Sequence, residues 1–120
     1  VLIHPTAWVS PSAHVAEASV VFAHSSVQAH AIVGTGAILN TGCSVDHHAQ
    51  LSDGVHVCPG ARLAGEVKIG ARSWIGIGAS VIQQVRIGSD VTVGAGAAVV
   101  SDLPNSVTAV GVPASVVTSH

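Results

Sequence analysis

Aromatic residues are nearly absent from this chain of 120 residues, which has two Trp, one Phe and no Tyr, and it has no Met. With 48% hydrophobic residues, the core has to be filled by Val, Ile, Leu and Ala, which suits a narrow interior with no room for rings. Charge is scarce as well. Only 8% of residues are Asp, Glu, Lys or Arg and the net charge is -2, so there is no basic field to hold a nucleic acid. Mean hydropathy is +0.60, yet no apolar run approaches the ~20 residues a spanning helix needs. No signal-peptide or lipidation pattern opens the chain. The two cysteines, Cys43 and Cys58, lack metal-type spacing and give no sign of an oxidising compartment. These absences lead to the expectation of a soluble, cytoplasmic protein of one domain, long enough for a real core. With so few charges, part of its surface is expected to be buried in an oligomer.

What is present is a repeat. From Ile3 to Val99 every sixth residue is Val, Ile or Leu, seventeen in succession with no insertion. Four residues after each stands a small or aliphatic residue, such as Ala31, Ala37, Cys43 and Ala49. Turn formers fill the gaps, among them Pro5-Thr6, Thr35-Gly36, Pro59-Gly60 and Ser89-Asp90. A period of six fits neither a 3.6-residue helix nor an unbroken strand alternation. It fits short strands joined by sharp corners and stacked as a solenoid. After Leu103 the period stops.

Inside the repeat, the stretch Asn40 to Gly65 (NTGCSVDHHAQLSDGVHVCPGARLAG) sets Asp46, His47 and His48 together and adds His56 nine residues after His47. Imidazoles and a carboxylate clustered in a nearly charge-free scaffold mark where chemistry would sit. His14, His24, His30 and His120 read as surface residues. All four Lys and Arg residues lie between Arg62 and Arg86, which makes an anionic ligand there plausible against the alternative of ordinary solvated charges. Cys43 holds an inward position and reads as core; nothing marks Cys58 as a nucleophile.

The hexads resemble those of the left-handed parallel β-helix acyltransferases, and the resemblance runs from Ile3 to about Leu103. It implies an all-β fold, a left hand and three hexads per coil. The expected organisation is a β-helix domain over residues 1–103 and a C-terminal return segment and tail over 104–120, with Ser115 to His120 frayed. At eighteen residues per coil, His56 is expected to stack on Trp74, Lys68 on Arg86 and His48 on His30. Gly42, Gly60, Gly78 and Gly96 form a column where a corner needs positive φ.

The combination HPTAWVSPSA, NTGCSVDHH, GVHVCPGARLAG, WIGIGASVI, VGAGAAVV and GVPA is more specific. It resembles acetyltransferases of UDP-4-amino-sugars (bacillosamine and perosamine type) and their sialic acid O-acetyltransferase relatives. The resemblance implies an acetyl-CoA-dependent transfer to an amino group of a nucleotide-linked sugar, with no metal required, in a homotrimer with sites between subunits. The family's general base falls on His47, its second histidine on His56, and its acetyl-CoA contacts on Gly65, Ile77 and Ala95, with Gly76 beside them. Asn40 matches a polar residue of the same cleft, and Lys68 and Arg86 are candidates for phosphates. Asp46 or a backbone carbonyl is expected to fix the tautomer of His47.

Three features depart from the pattern. His48 stands where the family has an acidic residue. The family's N-terminal Rossmann-like domain has no counterpart here, as expected of a fragment or of a member with another route to its acceptor. The GVPA-type ending lacks its following Lys or Arg. Other readings of the same residues are a sugar O-acetyltransferase, a zinc enzyme like the γ-class carbonic anhydrases using His47, His48 and His56, and a catalytically silent solenoid. Against zinc, adjacent strand residues point to opposite faces, which would part His47 from His48.

Overall fold

A computed structural model describes all residues, Val1–His120, and contains no α-helix. Seventeen strands of two residues, β1 (Leu2–Ile3) to β17 (Ala98–Val99), begin at every sixth residue. Each pairs in parallel with the strand eighteen residues away, as in Val20 with Ile38 and His56 with Trp74. The chain therefore winds as a left-handed, three-sided β-helix of about six coils, 38 Å long and about 20 Å across. The usual right hand of parallel crossovers comes from a twisted strand feeding a helix. Here two-residue strands and bare corners remove that cause.

The hexad builds one side of the prism. In Ala37-Ile38-Leu39, Ala37 and Leu39 are fully buried and Ile38 faces outward, which is strand alternation lasting three residues. A corner follows. From Ala18 to Gly96 every sixth residue has a positive φ, between 56° and 71°. Glycine takes this at Gly42, Gly60, Gly78 and Gly96, one corner column, as the sequence suggested. Other corners place His30, His48, Glu66 or Gln84 there, where a side chain bears local strain. The core is a single column of Val, Leu, Ile and Ala from Val21 to Ala109. Three serines replace alanine in it, and each hydroxyl donates to a carbonyl: Ser19 to Gly34, Ser25 to Asn40 and Ser73 to Gly88. Cys43 is core as expected, and burial pushes its thiol up to about 11.

The first face holds β1, β4, β7, β10, β13 and β16; the second holds β2, β5, β8, β11, β14 and β17; the third holds β3, β6, β9, β12 and β15. Where the hexad stops, the first face does not. Val107–Val110 (β18) lies parallel to β16 (Thr92–Val93), and Val107 and Ala109 fill the core. Ser115–Ser119 (β19) returns antiparallel along β18. The expectation of a frayed end is thus corrected: residues 115–119 are a strand, because the open edge of β18 offers backbone partners that exposed side chains do not advertise. No helix is long and apolar enough to cross a membrane.

Candidate active site

The residues singled out in the sequence divide between two places. His47 and His48 sit in the corner joining β8 (Ser44–Val45, second face) to β9 (Gln50–Leu51, third face). Neither lies on a strand, so the strand-alternation argument that would part their rings does not apply. His48 has φ 58°, and Nδ1 of His47 meets Nδ1 of His48 at 3.2 Å. The ring of His48 lies on His30 with centroids 5.0 Å apart, as the eighteen-residue register required. Asp46 does not reach the imidazole in its observed bonding. Its Oδ1 accepts the backbone N–H of His47 at 2.7 Å and pins the corner.

Gly65 lies against the other end of the His47 ring. A Cβ there would stand 2.5 Å from Nε2 and 2.7 Å from Cε1, and Gly65 is not among the positive-φ residues. Space, not backbone conformation, calls for glycine. Gly65→Ala is therefore expected to push the ring aside and, with His47 as a reacting group, to lower turnover about tenfold or more, since small misplacements of such a group are costly. Its melting temperature should stay close to wild type, because the clash is with a side chain that can swing away; a stability loss without a turnover loss would refute this role.

His47 and His48 open onto a recess of about 530 Å³ whose other lining residues are Gln50, Glu66, Lys68, Gln84 and Arg86. Lys68 and Arg86 lie side by side on β12 (Lys68–Ile69) and β15 (Arg86–Ile87). Neither forms an ion pair; the salt bridge of the chain joins Arg72 to Asp90 at 2.8 Å. Two unpaired cations suit an anion. The remaining base, Arg62, donates to the carbonyl of Gly42.

The second place is the first face, along β7 (Ile38–Leu39), β10 (His56–Val57), β13 (Trp74–Ile75) and β16. A mostly apolar groove of about 330 Å³ holds Asn40, His56, Gly76, Ile77 and Ala95, with Cys58, Trp74 and Thr92 among its other walls. Oδ1 of Asn40 accepts the N–H and the hydroxyl of Thr41. That bonding turns its amide NH₂ toward Nε2 of His56, 3.2 Å away, and so assigns the proton of His56 to Nδ1. The ring packs on Trp74 at 4.3 Å, and burial holds it below the ordinary imidazole value. It is a neutral donor at neutral pH. Cys58 is 2% exposed and burial raises its thiol, which leaves it a wall rather than a nucleophile. Ala79, close in sequence to Gly76 and Ile77, is core and lies outside the groove.

In a three-sided prism the corner between the second and third faces lies opposite the first face. One chain therefore does not bring His47 to His56, Asn40, Ile77 or Ala95. No three His, Cys, Asp or Glu side chains converge where a metal could sit, so the zinc reading has no ligand set within one chain. Sequence reasoning passed over Gln50, Glu66, Gln84 and Thr92. The signal was available: each stands eighteen residues from Lys68, His48, Glu66 or Trp74.

Comparison with known proteins agrees with the fold. Residues 66–100 match the family model of the bacterial transferase hexapeptide (six repeats). No curated protein matches the sequence significantly. Among solved structures, a mutant perosamine N-acetyltransferase from Caulobacter crescentus, in complex with CoA and GDP-perosamine, is 46% identical with TM-score 0.96, covering 98% of this chain and 56% of that one. The acetyltransferase domain of PglB from Neisseria gonorrhoeae, in complex with acetyl coenzyme A, is 48% identical with TM-score 0.95, covering 96% and 56%. WeeI from Acinetobacter baumannii is 26% identical with TM-score 0.91, covering 94% and 56%. The chain thus spans little more than half the length of these proteins. By its repeat, its hand and its similarity over nearly its whole length, it is a hexapeptide-repeat left-handed β-helix that resembles amino-sugar N-acetyltransferases.

Proposed function

We propose that this chain carries the acetyl-transfer site of an acetyl-CoA-dependent N-acetyltransferase acting on a nucleotide-linked amino sugar. The observation that carries the reading is the setting of His47: Nδ1 held by a neighbour, Nε2 free over Gly65, in a polar recess with two unpaired cations. The similar structures hold CoA with GDP-perosamine, or acetyl coenzyme A.

The chemistry requires little from the protein. The amine attacks the thioester carbonyl while an imidazole removes its proton, a contribution of ~10²–10⁴-fold. Positioning supplies much of the rest. The groove on the first face suits the thin pantetheine arm, because Gly76, Gly94 and Ala95 let a ligand approach the backbone. The Nδ1–H of His56 is a neutral donor for the thioester oxygen. Lys68 and Arg86 share the recess of His47, not the groove, which favours the diphosphate of the acceptor over the phosphates of CoA. Since base and groove lie on opposite sides of one prism, the reading requires a second copy. A homotrimer with sites in the clefts between neighbours supplies it with one repeated contact.

The test is thiol release from acetyl-CoA in the presence of nucleotide-linked 4-amino sugars. Release that depends on the amine is expected; release with hydroxyl acceptors alone, or with none, overturns the reading. Ala95→Leu tests the groove. A misfit of about 1–3 kcal/mol should raise KM for acetyl-CoA about 5- to 150-fold with kcat nearly unchanged. An unaltered KM would place the arm elsewhere.

A further inference from the structure

We propose that His48 is a positioning residue that works as a neutral hydrogen-bond acceptor, selecting the tautomer of His47 that leaves Nε2 free to take a proton. The proposal rests on His47 being the base, and it concerns what stands behind that base.

Two imidazole nitrogens, Nδ1 of His47 and Nδ1 of His48, are 3.2 Å apart. At that distance two lone pairs repel and two N–H groups repel, so one proton lies between them. If His48 carried it, His47 would have to hold its own proton on Nε2 and could accept none there. If His47 carries it, Nε2 presents a lone pair to the recess, over the space Gly65 leaves open. His48 is then the partner with the proton on Nε2, its Nδ1 accepting.

The corner holds the two rings in this contact and leaves Nδ1 of His47 no other partner. Asp46, the nearest carboxylate in sequence, accepts the backbone N–H of His47, so it does not compete for the ring. The backbone of His48 donates to the carbonyl of Ala29 at 3.0 Å, and its ring is supported from the preceding coil by His30. The other charged groups of the recess, Glu66, Lys68 and Arg86, form no side-chain hydrogen bond with either ring. His48 alone faces Nδ1 of His47.

The proton account closes. As the amine lone pair forms the C–N bond and the carbonyl π pair moves to oxygen, an N–H proton passes to Nε2 of His47. The ring becomes an imidazolium whose Nδ1–H is still held by the lone pair of neutral His48. Collapse of the adduct breaks the C–S bond, and the leaving thiolate takes the proton from Nε2. Nothing is left over, and His48 neither gains nor loses a proton.

The test separates tautomer from turnover. Nitrogen-15 NMR of histidine-labelled protein, at a pH where the imidazoles are neutral, should show His47 mainly as the Nδ1–H tautomer. His48→Gly removes the ring yet suits φ 58°. In it His47 should revert to the Nε2–H form that unconstrained imidazole prefers, and kcat should fall ~10–100-fold, as for other partners that orient an imidazole, with KM for acetyl-CoA unchanged. His48→Asn keeps an acceptor and tolerates left-handed φ, so it should restore both. An Nε2–H tautomer in the wild type, or a tautomer unmoved by His48→Gly, overturns the proposal. If the tautomer shifts as expected but no form of the protein releases thiol with any amino sugar, the positioning role stands and the assigned activity falls.

Discussion

His47→Ala is expected to lower turnover ~10²–10⁴-fold, the range a positioned general base contributes, while leaving acetyl-CoA affinity and melting temperature near wild type. The ring is exposed at a corner, and the contacts it would lose are with the His48 ring and with Gly65. The backbone bond that holds the corner runs from the His47 N–H to Asp46 and survives the substitution. Exposed substitutions of this kind usually change stability by no more than about 0.5 kcal/mol. In the proposed role the imidazole acts as the proton departs, so its loss would belong to kcat and not to binding of a ligand whose proposed groove lies on another face. Turnover within about threefold of wild type would remove His47 from the role of base. A collapse of the melting transition would show that the residue holds the coil together instead.

Much of the architecture was legible because the solenoid is nearly one-dimensional: register is arithmetic, and residues eighteen apart must meet. Once the resemblance supplied eighteen residues per coil, the stacks of His56 on Trp74, Lys68 on Arg86 and His30 on His48 followed by arithmetic. The same arithmetic held a lesson that nearness in sequence concealed. His47 and His56 are nine residues apart, half of an eighteen-residue coil, so they had to lie across the prism from each other. The contact between the rings of His47 and His48 was not legible, because it depends on the turn placing both outside the strand, with His48 at positive φ. Nor was β19. Its residues are exposed, and what orders them is the backbone edge of β18, which no side-chain pattern records.

Mixing two inactive variants should regenerate activity, and this is the sharpest consequence of base and groove lying on opposite sides of one chain. His47→Ala keeps an intact groove but has no base. Ala95→Trp keeps the base but fills the groove; Ala95 is exposed beside Ile77 and Gly94 and has ordinary backbone conformation, so the larger ring is tolerated by the fold. Alone, each should form a trimer by light scattering and release thiol at less than about a hundredth of the wild-type rate. Unfolded together in equal amounts and refolded, they assemble at random. In the proposed trimer one neighbour lends the corner of each cleft and the next lends the face, so about one cleft in four would receive an intact corner from an Ala95→Trp subunit and an intact face from a His47→Ala subunit. Activity near a quarter of wild type is therefore expected where neither variant alone had any. If base and groove met within one chain, every site would carry one of the two lesions and mixing would restore nothing. A monomer at micromolar concentration would likewise overturn the shared site, since a single prism has no way to turn the corner of His47 toward the face of His56 and Asn40.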